Sequence, residues 1–302
     1  MKKTAVIIFI LFFALILNAQ TIKPYILAGV EKGDITTLEK KLIMNLKEQG
    51  FLISGAYSPM KDINRLVICI THSLIKKAVR KTGGLTVFAS VLRFGIYKNK
   101  KGEIEISYTN PFYWGNAYFR DKYPQIEKEY TEVGSLIKKS LNWLENKKFS
   151  PYGSKKGLTV KKLRKYHYMF GMPYFNDVVK IKKKSDYATM IARINKNLKR
   201  GLGGVKKVYE IDFPDMKTTL FGVGLLGEKG EKLFVPKIDK SNPKHITFLP
   251  YELLVMKDRV VMLHGRYRIA LSFPDLSMGT FMKIVSTPGY IANKMRLLTI
   301  MK

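Results

Sequence analysis

Residues 36–57 read TTLEKKLIMNLKEQGFLISGAY, and this stretch decides the fold of the first half of the chain. Leucines recur in it at every fourth position, which predicts a helix that buries one face. Thr36 and Glu39 form a capping-box pattern at its start, and Gly50 ends it because glycine adopts the left-handed conformation at little cost. The run after Gly50 is apolar and rich in sheet-forming residues, so a strand should follow the helix.

The second half of the chain repeats this order of elements. A second amphipathic helix is predicted over residues 186–200, followed by strands at 205–211 and 219–225 that we expect to pair as antiparallel neighbours. Each half then continues through an irregular or helical segment to a hairpin. The sequence therefore predicts an α+β fold with two related domains, each an antiparallel or mixed sheet with helices packed on one face, built by internal duplication.

Three further elements are predicted from local patterns. Pro124 suits the first turn of a helix that extends to residue 146, and Pro288 suits the first turn of a short helix near the end of the chain. The apolar residues 268–273 resemble a strand. The basic stretch around Pro151 has little apolar periodicity, so we expect four segments: a signal peptide (1–19), a first domain (20–148), a linker (149–176) and a second domain (177–302).

The N-terminus has the layout of a secretory signal peptide. Lys2 and Lys3 precede an unbroken apolar run over residues 5–17, and the small residue Ala19 stands where cleavage would occur. We expect an exported protein, periplasmic or associated with the cell envelope, that begins near Gln20; an anchor that is never cut is the alternative. With one cysteine, an exported chain forms no internal disulfide.

The charge is strongly positive and unevenly distributed. The formal net charge is +31, and over residues 149–207 lysine and arginine far outnumber the two acids, Asp177 and Asp186. Such a field attracts polyanions, which in an envelope are lipopolysaccharide, phospholipid headgroups and acidic glycans, whereas nucleic acid is less available there. A solvated basic surface without function is the alternative. The candidate anion-binding residues are Lys161, Lys162, Arg164, Lys165, Lys182, Lys183 and Lys184.

An aromatic cluster at residues 112–119, FYWGNAYF, follows the end of a predicted strand and precedes a predicted helix. It suggests a ligand-stacking rim, or rings that fill the seam between the two halves. The candidate ligand-binding residues are Tyr113, Trp114, Asn116 and Arg120. Aromatic residues also lie within 166–170, next to the basic residues around Arg164. This combination suits binding to a membrane headgroup layer. The alternative is a basic linker folded onto the domain.

Signals for catalysis are weak. No G-x-S-x-G or H-E-x-x-H motif occurs. Cys69 and His72 would point to opposite faces of a strand, and no second pair completes a zinc site, so we expect neither a metal nor a cofactor and interpret Cys69 as a buried apolar residue. An enzyme is therefore less favoured than a binding protein.

The first half also resembles a known family of uncharacterised domains, family 302. The resemblance covers residues 24–111 and is carried by the helix near Leu38, the strand opened by Gly50 and Phe51, and a hairpin that ends in the motif ISYTNP at residues 106–111. It implies a compact α+β domain that pairs with a second copy, and it implies no activity. The second half fits only as a diverged copy.

Together these features lead us to expect an exported protein with a non-catalytic role in binding or assembly at the cell envelope. Two alternatives stay open. One is an enzyme with a site between the halves near Trp114, and the other is a protein that binds polyanions or a membrane surface through residues 149–207.

Overall fold

The computed structural model describes residues 21–184 and 186–301, and the predicted signal peptide lies outside them. The first half consists of β1 (Thr21–Ile22), β2 (Tyr25–Glu31), α1 (Ile35–Glu48), β3 (Leu52–Tyr57), β4 (Arg65–Thr71), α2 (Ser73–Thr82), β5 (Leu92–Lys98), β6 (Ile104–Thr109), α3 (Pro111–Phe119), α4 (Glu127–Ser140), β7 (Lys147–Tyr152), β8 (Leu158–Thr159) and α5 (Val160–Arg164).

The second half begins near residue 177. It consists of β9 (Val179–Lys182), α6 (Tyr187–Lys199), β10 (Val205–Phe213), β11 (Thr218–Leu225), α7 (Glu231–Ile238), β12 (Tyr251–Met256), β13 (Arg259–Met262), α8 (Gly265–Ser272), α9 (Met278–Met282) and α10 (Thr287–Leu297). The described residues thus combine helices with antiparallel sheets, and the α+β class is confirmed.

The two main sheets have the same topology. The strand order of the first sheet is β3-β4-β5-β6-β2-β7, and that of the second is β10-β11-β12-β13-β9. When β9 is placed on β2 and β10 on β3, every strand of the second sheet has a counterpart in the first, and α6, α7 and α8 correspond to α1, α2 and α3. The predicted antiparallel pairing of β10 with β11 is confirmed, since Val205 lies opposite Leu225. An origin by duplication stays a prediction.

Helix boundaries depart from the sequence predictions at several points. Asp34 caps α1, because its carboxylate accepts the N–H of Thr37 at 2.8 Å, so the capping box at Thr36 is wrong. Pro124 lies in a 3₁₀ turn, and α4 begins only at Glu127. The aromatic cluster is not a connection but the helix α3 itself, in which all residues except Phe112 are buried.

The predicted strand at 268–273 is also wrong, because these residues belong to α8. Short apolar runs do not distinguish a strand from a helix that is buried on all sides. The ring Nδ1 of His264 accepts the N–H of Arg266 at 3.2 Å and so caps the first turn of α8. The segment 149–176, predicted as a linker, is in part regular structure: β7 extends the first sheet beside β2, and Leu163 of α5 is buried.

Successive side chains along the strands of the first sheet point to opposite faces, and each face packs into a separate core. On β5, Leu92 and Phe94 face a core that also contains α1 and α4. Cys69 of β4 belongs to the other core, which continues without a break into the second half. Helices therefore cover one face of the first sheet, and the second half of the chain covers the other. We call the contact between the two halves the seam.

Candidate functional site

The seam brings counterpart positions of the two halves together. β3 contacts its counterpart β10, while β5 contacts the 3₁₀ turn Ile246–Phe248 and β12 contacts the matching turn Gly84–Ala89. A β-carbon on Gly55 of β3 would lie only 1.8 Å from the carbonyl oxygen of Val208 in β10, so the backbones touch at that point. Reciprocal contacts of this kind are those of an isologous, twofold interface.

A buried ion pair lies at the centre of the seam. Arg93 is the second residue of β5 and Glu252 the second residue of β12, and Nη2 of Arg93 donates to Oε1 of Glu252. The strand registers of the two sheets match at this position. Arg93 lies opposite Cys69, the fifth residue of β4, and Glu252 lies opposite Gly222, the fifth residue of β11. Both charged side chains are about 2% exposed or less. The two halves thus meet at matching strand positions, which carry an arginine in the first half and a glutamate in the second.

Arg268 of α8 completes this cluster. Its Nε donates to Oε2 of Glu252 at 3.1 Å, and its Nη2 donates to the carbonyl oxygens of Phe248 at 2.8 Å and Pro250 at 3.2 Å. The guanidinium also lies 5.4 Å from the ring of Trp114, which is its counterpart on α3. Paired and hydrogen-bonded, these charges hold the seam in one arrangement.

The four candidate ligand-binding residues lie in or beside this seam. Tyr113 donates to the carbonyl of Leu271 at 2.8 Å, and the indole of Trp114 donates to the carbonyl of Pro24 at 2.9 Å. Asn116 is 2% exposed and accepts from Arg164 at 2.8 Å. Arg120 is half-buried, with its guanidinium 5.7 Å from the ring of Phe175. Tyr113 and Trp114 thus contact the second half, whereas Asn116 and Arg120 contact Arg164 and Phe175, which precede the start of the second half. A ligand-binding role for these four residues stays a prediction.

A cavity of about 410 Å³ lies between the halves, beside β7. His245 on its wall stacks against Phe273, with ring centroids 4.7 Å apart, and packs on Tyr25 and Tyr152. Burial lowers the pKa of His245 to about 4, so its ring is neutral at physiological pH. Burial raises the pKa of neighbouring Asp239, which accepts the N–H of His245 at 3.0 Å, to about 6.

A cleft of about 1400 Å³ lies on the second half, and we call it the basic cleft. β9, the start of α6, the turn before β11 and the β12–β13 hairpin form its walls. The charged side chains on its described lining are seven cations and three carboxylates: Lys180, Lys182, Lys183, Lys184, Lys217, Lys257, Arg259, Asp186, Asp215 and Asp258. All ten are exposed. The cleft therefore carries a concentrated positive charge that is open to solvent.

Three of these lysines lie in strained turns. Lys184, Lys217 and Lys257 have φ angles of 50°, 45° and 50°, in the left-handed region that favours glycine. The N–H of Lys257 donates to the carbonyl of Lys217 at 2.8 Å, which ties two of the turns together at the rim of the cleft. Strained backbone is concentrated at functional sites in proteins, so lysine rather than glycine at these positions favours a binding role.

The candidate anion-binding residues separate into two groups. Lys182, Lys183 and Lys184 lie in the basic cleft, whereas Lys161, Lys162 and Lys165 line a second opening of about 680 Å³ with Tyr166, His167 and Tyr168. Arg164 instead contacts other residues of the first half, where it donates to Asn116 and packs on Tyr123 at 5.4 Å.

Sequence reasoning missed the three basic residues of the cleft outside segment 149–207, which are Lys217, Lys257 and Arg259. It also missed the seam charges. A turn such as Lys257-Asp258 between two apolar strands offered a signal for the cleft. For the seam, the signal was a single charge inside an apolar strand at the same place in both halves: Arg93 in VLRFGIY and Glu252 in YELLVM. Such a residue must be paired when the strand is buried on both faces.

No protein-family model matches this chain, and no curated protein matches it. The resemblance of the first half to family 302 stays a prediction. The described residues contain no group of three or more His, Cys, Asp or Glu side chains placed to hold a metal ion. Among residues 21–184 and 186–301, no helix combines the length and apolar character that spanning a membrane requires.

Proposed function

We propose that this protein is an exported binding protein of the cell envelope that holds an extended anionic molecule in the basic cleft without acting as an enzyme. The observation that carries the proposal is the lining of the cleft, where seven exposed cations face three carboxylates in one opening. The net charge of the described lining is positive by four. Charges of one sign gathered in a concave surface raise the local concentration of ions of the opposite sign.

Asp186 and Asp215 of this lining have structural partners. Asp186 caps α6 by accepting the N–H of Thr189 at 2.8 Å. Asp215 accepts from Nε of Arg80 at 3.1 Å, which joins the rim of the cleft to the first half. These contacts direct two of the negative charges to neighbouring groups, so the lysines dominate the field that an approaching anion meets.

The shape and chemistry of the cleft favour a chain with repeated negative groups. Its lysines come from three separate segments of the second half, and an elongated anion can contact several of them at once. Lys183, Lys217 and Lys257 are compact charges on flexible stems, which suit phosphate or carboxylate groups at variable spacing. Envelope glycans and lipopolysaccharide cores offer such groups, so this is the class of ligand that we infer.

Calorimetric titration with two defined probes, a polyuronate oligosaccharide and a short polyphosphate, tests the proposal. Replacing Lys182, Lys183 and Lys184 together by Gln should weaken binding about tenfold or more, because exposed ion pairs contribute about 0.2–1 kcal/mol each. Affinity for the parent should fall steeply as salt rises, since the Debye length shortens to about 8 Å at physiological ionic strength.

A matched control replaces three exposed lysines of a hairpin in the first half, Lys98, Lys100 and Lys101, by Gln. The control removes the same net charge and should leave the affinity within about twofold of the parent. Equal weakening by both triple variants would show that net charge rather than the cleft attracts the probes. Unchanged binding by the cleft variant would rule out the proposal.

A further inference from the structure

The loop that leads into β9 exposes large apolar side chains at its tip. Phe170 is 100% exposed, and Met169 and Tyr174 beside it are 42% and 49% exposed. Single exposed apolar residues are ordinary on protein surfaces, but a cluster of three on one short loop indicates an interaction site. The basic cleft does not include these residues, so its proposed ligand does not explain them.

The loop is built as a rigid projection. The N–H of Met172 donates to the carbonyl of Met169 at 3.1 Å, and a ring nitrogen of His167 lies 2.7 Å from the carbonyl oxygen of Met172. The rings of His167 and Tyr174 stack with centroids 3.9 Å apart. The N–H of Tyr174 also donates to the carboxylate of Asp177 at 2.8 Å. These contacts hold the turn closed and leave the Phe170 side chain in solvent.

The base of the loop is fastened to the second half. The hydroxyl of Tyr168 donates to the carbonyl oxygen of Leu276, and its ring stacks on Phe281 of α9 at 6.3 Å. Phe281 is buried, so the loop is anchored to the core immediately before its exposed tip begins. A loop with a fixed base and an apolar tip is suited to shallow insertion into an apolar layer beside water.

Positive charge flanks the tip. Lys161, Lys162 and Lys165 are exposed and line the opening that contains His167 and Tyr168. On the other side of the loop, Arg266 lines an opening with Phe170. The acidic group nearest along the loop is Asp177, which already accepts from Tyr174.

We infer that this loop, residues 169–174, docks the protein onto an anionic phospholipid surface. Phe170 and Met169 would enter the boundary between headgroups and acyl chains, while the three flanking lysines contact phosphate groups. Interfacial binding combines buried apolar area with electrostatic attraction to anionic lipid, and aromatic rings are favoured at that depth. A second protein copy offers no such match, because a copy with the same basic flank would repel it.

A fluorescent probe reports this docking at the loop itself. Cys69 is fully buried and burial raises the pKa of its thiol to about 12, so a thiol-reactive dye added to a Phe170→Cys variant labels position 170 selectively. Vesicles of phosphatidylglycerol and phosphatidylethanolamine should shift the emission of this dye to the blue. The same dye on Ile63→Cys, at a site 86% exposed in the first half, should not respond.

Vesicle sedimentation measures the two contributions separately. Phe170→Ser should weaken partitioning about tenfold, because one buried aromatic side chain supplies most of the apolar contact. Replacing Lys161, Lys162 and Lys165 by Gln should weaken binding by a similar factor to anionic vesicles and not to neutral phosphatidylcholine. Every variant carries the same N-terminal segment, so differences between variants report the loop.

Three outcomes would overturn the inference: no spectral change at position 170, equal partitioning of Phe170→Ser and the parent, or an oligomer without vesicles that Phe170→Ser dissociates. The last would identify a second copy as the partner. The loop and the basic cleft can fail independently. Loss of vesicle binding in Phe170→Ser with unchanged polyuronate affinity supports docking even if the cleft proposal fails.

Discussion

Charged side chains serve opposite purposes in the seam and in the basic cleft. In the seam, Arg93, Arg268 and Glu252 are buried and paired, and Arg268 also donates to backbone carbonyls. In the cleft, the cations outnumber the carboxylates and are exposed, and three of the seven cations have the left-handed backbone that lysine tolerates poorly. Each seam charge is therefore needed as the partner of another buried charge. The cleft charges are open to solvent, and three of them are held in a strained backbone at some cost to stability.

The largest effect is expected at the centre of the seam. Glu252→Ala leaves two buried guanidinium groups without a counter-ion, which should destabilise the fold by about 3–5 kcal/mol. Chemical denaturation measures the change. Glu210→Ala, which breaks the partly exposed pair with Lys207 at 2.8 Å, is the control and should cost less than about 1 kcal/mol. A loss at Glu252 no larger than at Glu210 would contradict the role of the seam charges.

A second test uses the opposite pKa shifts of Asp239 and His245. Unfolded Asp releases its proton near pH 3.8 and folded Asp239 near pH 6, so this group makes stability fall as pH rises through that window. Unfolded His gains its proton near pH 6.5 and folded His245 near pH 4, so this group makes stability fall as pH is lowered. The two contributions oppose each other between pH 4 and 6.

Single variants should separate them. Relative to the parent, Asp239→Asn should gain up to about 3 kcal/mol of stability as pH rises from 4 to 7. His245→Phe should show the reverse, gaining relative to the parent as pH falls from 6.5 to 4. Thermal unfolding across this range measures both slopes. Parallel slopes for the two variants would show that the buried pair does not control the pH dependence.

The smallest effect is expected in the turns of the cleft. Lys257→Gly relieves the left-handed strain and should stabilise the protein by about 1 kcal/mol while weakening binding of an anionic probe. Lys100→Gly, in a hairpin turn without positive φ at that residue, should not stabilise. Differential scanning calorimetry measures the gain in stability, and the calorimetric titration with the anionic probes measures the loss of affinity. A destabilised Lys257→Gly would refute strain at this turn.

Local patterns predicted much of the fold. Leucine spacing identified α1, and the hairpin of β12 and β13 followed from two apolar runs around Lys257 and Asp258. The helix α8 was missed because burial on all sides removes the polar face that makes a helix recognisable. The site was predicted in part: Lys182 was identified by charge density, whereas Lys217 joins it only through tertiary pairing. Spacing in the chain does not reveal which turns meet across a sheet.

The pairing of Arg93 with Glu252 also has a consequence for each half taken alone. Two first halves brought together by this surface would oppose arginine to arginine in a dry environment where like charges repel strongly. In the second half, Glu252 keeps Arg268 of the same half as a partner at 3.1 Å. The first half therefore disfavours a second copy of itself and needs the second half to supply the carboxylate that pairs with Arg93. If the chain were cut between α5 and β9, the first fragment should assemble with the second fragment rather than with itself.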